Sequence, residues 1–303
     1  MLFAQFFTDI LYKWRYKMKP KFGPAGNSDS FAEKGYTSTV DAPIYCMEYG
    51  LNAYEYQCGR GVRINADIAE RIRLASRDHG VTMSLHAPYY ISLSSLEEEK
   101  RKGSARYFLE SAEAIKRLGG IRFVVHSGSC GKQTRQQALA LAKETLKYCL
   151  NELDAAGYSD VVVCPETMGK IGQLGTLDEV MELCSIDERL IPCIDFGHLN
   201  ARTNGGIKGE EDYSMILDTL ANRLGHERAS CFHSHFSKIE YTDKGEKRHL
   251  TFEDNIYGPD PRPLLRLIAR KGWAPTFICE SDGTQAEDAR TMKDIYEEEL
   301  ELI

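Results

Sequence analysis

No stretch of this chain approaches the roughly 18 consecutive apolar residues that a membrane-spanning helix needs, so no membrane association is expected. Its nine cysteines (46, 58, 130, 149, 164, 184, 193, 231 and 279) include no Cys-x-x-Cys pair. An odd, scattered set in a long chain points to reduced thiols and a cytoplasmic setting rather than a disulfide framework. Basic residues are not in excess: 38 Lys and Arg against 45 Asp and Glu leave a net charge of −7. That argues against a protein that coats nucleic acid with a basic face. It leaves room for an enzyme whose bound divalent cations supply positive charge locally. Residues 1–17 lack the basic start and small-residue cleavage site of a signal peptide. Met18 is followed directly by Lys-Pro-Lys-Phe-Gly, which reads as a first strand, so 1–17 is expected to be an extension outside the fold or the product of an early start codon. Long linkers, low-complexity tracts and repeats beyond a βα period are missing too, which predicts one domain over 18–303.

What the chain does have is a recurring design. The stretch Thr82-Met-Ser-Leu-His86 is a short apolar run that ends in a metal-capable side chain before a small-residue loop. The design returns at Phe123-Val-Val-His126, Val161-Val-Val-Cys-Pro-Glu166, Ile191-Pro-Cys-Ile-Asp195 with His198, Cys231-Phe-His233 with His235, and Phe277-Ile-Cys-Glu280. Such runs, bounded by Gly, Pro or Ser, read as strands buried on both faces. Helical patterns lie between them, at about 65–79, 95–118, 133–156, 176–184, 210–224, 261–271 and 285–300. Alternating strands and helices argue for a parallel sheet. Strands that each end in His, Asp or Glu bring those ends together only if the sheet closes. The expected fold is therefore an α/β class (β/α)8 TIM barrel, with its site at the C-terminal ends of the strands.

A lone His on an apolar strand is more often a core residue than a ligand. Here His86, His126, His198, His233, His235 and His249 all fall at strand ends or in the loops that follow. Apolar runs also end at Glu166, Asp195 and Glu280, and unpaired carboxylates are rarely buried. Nitrogen and oxygen donors converging on one face suit Zn2+, with Mn2+ or Fe2+ also able to fill such a site. Two residues before each strand-end donor lie Ser84, Val124, Cys164, Cys193, Cys231 and Ile278, which period two sends to the same side. They read as a small, apolar layer beneath the donors, with the cysteines as core residues rather than ligands.

At this point the residues resemble the endonuclease IV family of apurinic/apyrimidinic-site endonucleases, part of the xylose isomerase-like TIM barrels. The resemblance runs from about Lys19 to Glu280, and rests on His86-Ala-Pro-Tyr89, His126-Ser-Gly, Pro165-Glu166-Thr, Asp195-Phe-Gly-His198 and His233…Ser237-Lys238 in that order. It implies His86 and His126 on a first metal, with Glu166 bridging to a second completed by Asp195, His233 and Glu280. A third would take His198, His249 and an aspartate two residues before His249. Lys247 stands at that position, and a protonated lysine offers no lone pair to a cation. His235, which shares a strand face with His233, is the expected substitute; the competing expectation is a Lys247 amine in the cleft, facing the phosphate.

The resemblance implies a monomeric phosphodiesterase that cleaves damaged double-stranded DNA beside abasic sites in base-excision repair. Two to three cations would activate water, with Glu166 as the central catalytic residue. Tyr89, Tyr90, Arg60 and Lys238 are the expected substrate contacts. The alternative is a sugar isomerase or epimerase on the same scaffold, which needs one ion held by Glu166, Asp195, His233 and Glu280. Fold alone does not separate the two.

Overall fold

A computed structural model describes residues 19–303; the expected 1–17 extension lies outside the described residues. Eight parallel strands form the sheet: β1 (Lys21–Pro24), β2 (Ala53–Gln57), β3 (Thr82–His86), β4 (Arg122–His126), β5 (Val162–Glu166), β6 (Cys193–Asp195), β7 (His233–Phe236) and β10 (Thr276–Cys279). They run in the order β1-β10-β7-β6-β5-β4-β3-β2. Between β7 and β10 an antiparallel hairpin departs from the barrel, formed by β8 (Lys238–Thr242) and β9 (Gly245–Leu250).

The seam between β1 and β2 closes through backbone contact: Asn52 N–H donates to the Phe22 carbonyl (3.1 Å) and Gly26 N–H to the Glu55 carbonyl (3.0 Å). Gly23 permits this approach, since a Cβ there would stand 1.9 Å from the Ala53 carbonyl oxygen. The result is the nearly closed α/β barrel expected from the alternating pattern.

Helix boundaries follow local chemistry. Asn65 accepts from the Ile68 N–H (2.8 Å) to start Ala66–His79, and Gly80 at φ +68° ends it in the left-handed region. Thr134 and Gln137 form a capping box at the head of Arg135–Ala155. Alternate strand residues face outward to the helices, as Phe123 and Val125 do, or inward, as Val124 does with Cys164 and Cys193 in a small internal cluster. Two of the three cysteines expected beneath the donors are therefore there. Cys231 is not: β7 begins two residues later, and the Cys231 thiol lies against the Glu227 carbonyl at the opposite end of the barrel.

Candidate metal centre

The C-terminal strand ends converge around a cavity of about 600 Å³ whose lining includes His86, His126, Glu166, His198, His249 and Glu280. Three donor groups stand out. His86, His126 and Glu166 form the first; Glu166, Asp195, His235 and Glu280 the second; His198, Glu246 and His249 the third. Within each group, one donor atom per residue lies within 4.8 Å of the others. Glu166, only 1% exposed, belongs to both of the first two.

Each donor is aimed by its neighbourhood. His86 Nδ1–H donates to the Ala87 carbonyl (2.9 Å), which leaves Nε2 directed at Glu166 Oε2, 3.5 Å away. His126 Nε2 lies at the same 3.5 Å from that oxygen. Asp195 caps the helix Phe196–Arg202: its Oδ1 accepts from the His198 N–H at 2.7 Å. The Asp-x-x-His spacing is thus an N-cap and the third residue of one helical turn, which puts carboxylate and imidazole side by side. His198 Nδ1–H donates to the Thr167 carbonyl (3.0 Å), turning Nε2 toward Glu246 Oε2 at 3.4 Å. Ser237 holds His249 through a 2.9 Å bond to Nδ1.

The electrostatics fit divalent cations. Glu166 Oε2 and Asp195 Oδ2 are buried oxygens without a hydrogen-bond partner. Their near neighbours are imidazole nitrogens, His86 and His126 Nε2 at 3.5 Å from Glu166 Oε2 and His198 Nδ1 at 3.1 Å from Asp195 Oδ2, so the counter-charge that these buried oxygens need comes from imidazolium or from a bound cation. Burial opposes ionisation of Glu166, yet the His235, His198 and His86 imidazoles hold it well below the usual carboxylate range. Burial raises Asp195. His126 is pulled down to about 4, mainly by burial, and is neutral with a free lone pair. Burial also acts to lower His198, but Asp195, Glu166 and Glu246 outweigh it and push that imidazole up to about 10. The donor set, imidazole and carboxylate without sulfur, suits Zn2+, Mn2+ or Fe2+.

The expectation for the second group shifts by register. The expected His233 does not reach the second group; His235 does, because Asp195 pairs with His235 and Cys193 with His233 along β6 and β7. The apolar run that ends at His233 precedes the strand, so counting from it stops two residues short. His233 sits one layer down, its Nε2 2.9 Å from Glu55 Oε2. A fourth group, Cys193, His233 and His235, is wholly buried there. Cys193 packs there with Val124 and Cys164, and burial raises its thiol far above its ordinary value.

The third group corrects both expectations about it. His235 is not the substitute for the missing aspartate, and the Lys247 amine is not in the cleft: it pairs with Glu240 at 2.5 Å on the exposed face of the hairpin. Glu246 takes the place instead. The cause is a β-bulge: Tyr241 pairs with Glu246 and Glu240 with Arg248, so Lys247 is an extra residue. The extra residue breaks period two and turns Glu246, three before His249, to the same side. Gly169 seats the hairpin, accepting the Glu246 N–H at 3.2 Å; a Cβ on it would come within 2.6 Å of the Glu246 Cβ and 2.9 Å of His198.

Of the expected substrate contacts, Tyr89 stands 61% exposed at the rim, its ring centroid 5.2 Å from that of His126. Arg60 lines an adjoining cavity together with Tyr89, Gly59 and Arg63. Tyr90 is directed away, against Tyr107 at 5.8 Å. The Lys238 ammonium donates to the Phe252 (2.8 Å) and Asp254 carbonyls and pins the loop after the hairpin. Glu55 went unrecognised in the sequence. Its one signal was a carboxylate in phase with Ala53 and Gln57 on a five-residue strand, which sends all three inward.

A match to the family model for xylose isomerase-like TIM barrels covers residues 44–303, and the chain belongs to that family. Within it the chain is a divergent relative of the endonuclease IV proteins. It is 32% identical over 243 residues to an uncharacterised protein of Methanocaldococcus jannaschii, covering 80% of this chain and 86% of that one. It is 30% identical over 193 residues to a probable endonuclease 4 of Mycoplasma pneumoniae, covering 62% of this chain and 63% of that protein. Among solved structures, a D-tagatose 3-epimerase-like protein superposes with TM-score 0.68 at 21% identity, over 93% of this chain and 97% of its own. Endonuclease IV from Thermus thermophilus gives 0.65 at 20% identity, over 94% and 100%. Those two structures share the fold; no helix among the described residues is long and apolar enough to cross a membrane.

Proposed function

We propose that the chain is a metal-dependent phosphodiesterase that cleaves DNA at abasic sites. The observation that carries this reading is a donor set for a cluster of ions: Glu166 shared between two groups, with His198 of the third group 3.4 Å from its Oε1. An epimerase needs one ion, and His86, His126, His198, Glu246 and His249 would have no ligand role in it. Bound divalent cations would neutralise the scissile phosphate and lower the pKa of a water that attacks it. The protein's part is electrostatic and positional. Glu166 holds the first two groups in register, Asp195 and Glu280 balance charge, and Tyr89 and Arg60 meet the substrate at the rim. Zinc is the proposed metal, damaged double-stranded DNA the partner, a monomer the working unit and the cytoplasm the setting.

The endonuclease 4 relatives support this reading; the epimerase-like neighbour supports the alternative, since Glu166, Asp195, His235 and Glu280 are by themselves a complete single-ion set. Elemental analysis beside incision of an abasic-site duplex separates them. About two to three metals per chain with specific nicking is the expected result; one metal and turnover of a ketose would overturn it.

A further inference from the structure

We propose that Glu55 is a positioning residue for the second donor group, fixing His235 so that Nδ1 and not Nε2 faces the cation. This rests on the metal-centre reading above. Glu55 is fully buried on β2 and does not line the cavity, so it cannot touch substrate. Four donors surround it: His235 Nε2 (2.8 Å) and Gln57 Nε2 (3.2 Å) at Oε1, His233 Nε2 (2.9 Å) and Ser84 Oγ (3.0 Å) at Oε2. Among the described residues, no lysine or arginine is bonded to it. A buried carboxylate served only by neutral donors and imidazoles is an expensive arrangement with no obvious packing benefit.

The geometry of His235 supplies the reason. Its other nitrogen, Nδ1, lies 3.0 Å from Glu166 Oε1 and 3.5 Å from Glu280 Oε1, inside the second donor group. An imidazole that binds a cation through one nitrogen carries its proton on the other, and the acceptor there decides which is which. Glu55 is that acceptor: it takes the Nε2 proton, leaves the Nδ1 lone pair toward the cation, and makes the ring a stronger donor. His233 and Ser84 occupy the second oxygen and stop the carboxylate from rotating.

The test uses the full chain labelled with ¹⁵N-histidine and loaded with Zn2+, together with Glu55→Gln. Long-range ¹H–¹⁵N spectra of the parent should show His235 protonated at Nε2 with a metal-shifted Nδ1. Chelator competition should show one Zn2+ site weakened about 10- to 100-fold in Glu55→Gln, the range for loss of a hydrogen-bond partner behind a ligand, with the other sites unchanged. His235 protonated at Nδ1 in the zinc-loaded parent would overturn the proposal whether or not the variant folds. So would a folded Glu55→Gln whose Zn2+ affinities all stay within about two-fold of the parent. A parent that binds no zinc would instead sink the metal-centre reading itself.

Discussion

The first two donor groups and the third are built on different architecture. The inner groups hang from the ends of parallel barrel strands, whose hydrogen-bonded neighbours on both sides fix where each side chain points. The outer group takes His198 from the first turn of a helix and Glu246 and His249 from a two-stranded hairpin outside the barrel. Within a barrel, period two is enforced and a donor can be placed by counting. On a free hairpin one extra residue changes the phase of everything between it and the turn. The inner groups are therefore fixed by the fold, and the outer one by a bulge and the docking of Gly169.

Glu166→Gln should be the most damaging change, because it removes the charge common to both inner groups. Activity on an abasic duplex should fall at least about 100-fold with the melting temperature preserved. Near-parental turnover with full metal content would remove Glu166 from its bridging role.

Glu246→Ala should strip the outer group selectively. One metal site should weaken by at least the roughly 10- to 100-fold that loss of even an outer partner costs, while the inner sites titrate as before. Equal weakening of all sites would mean the groups are not separable.

Proton release sharpens the same contrast. His198, pushed up to about 10, stands above its ordinary value of about 6.5, so in the metal-free protein its contribution to stability is full below about 6.5 and is lost as pH rises through about 10. His126, at about 4, has the opposite sign: its contribution is present above about 6.5 and lost as pH falls through about 4. At pH near 8 a cation must displace the His198 proton but none from His126. Calorimetric zinc titration in buffers of different ionisation enthalpy should therefore show proton uptake by the buffer. His198→Gln should lower that uptake by roughly one proton per chain. Identical release in parent and variant would contradict the assignment.

Lys247→Ala should do least. Its pair with Glu240 is on the surface, so the melting temperature should fall by no more than roughly 3 °C and metal content should not change. A large loss of activity would restore Lys247 to the cleft.

The same contrast explains what was legible in the sequence. His86, His126, Glu166, Asp195 and Glu280 each close an apolar run, and the barrel brings them together as their order implied. His235 was displaced by two positions because the apolar residues Cys231 and Phe232 precede β7 instead of forming it. Glu246 was invisible because a bulge leaves no mark in residue type: Glu-Lys-Arg-His reads as plain alternation until the pairing is known. Glu55 was hidden by its neighbours, since Tyr54 and Tyr56 make β2 look like an ordinary half-buried strand. Lys238 stands where the motif places a substrate contact, and its bonds to the carbonyls of Phe252 and Asp254, which anchor a loop, leave no mark in the sequence.

An anomalous-scattering map at the zinc edge, from crystals grown with zinc, tests the central claim most directly. Three peaks are predicted: one beside His86 and His126, one among Glu166, Asp195, His235 and Glu280, and one bound by His198, Glu246 and His249 at about 2.0–2.2 Å, the usual range for zinc with nitrogen and oxygen ligands. A single peak at the second group, with the other two groups empty, would contradict the cluster and return the chain to single-ion chemistry.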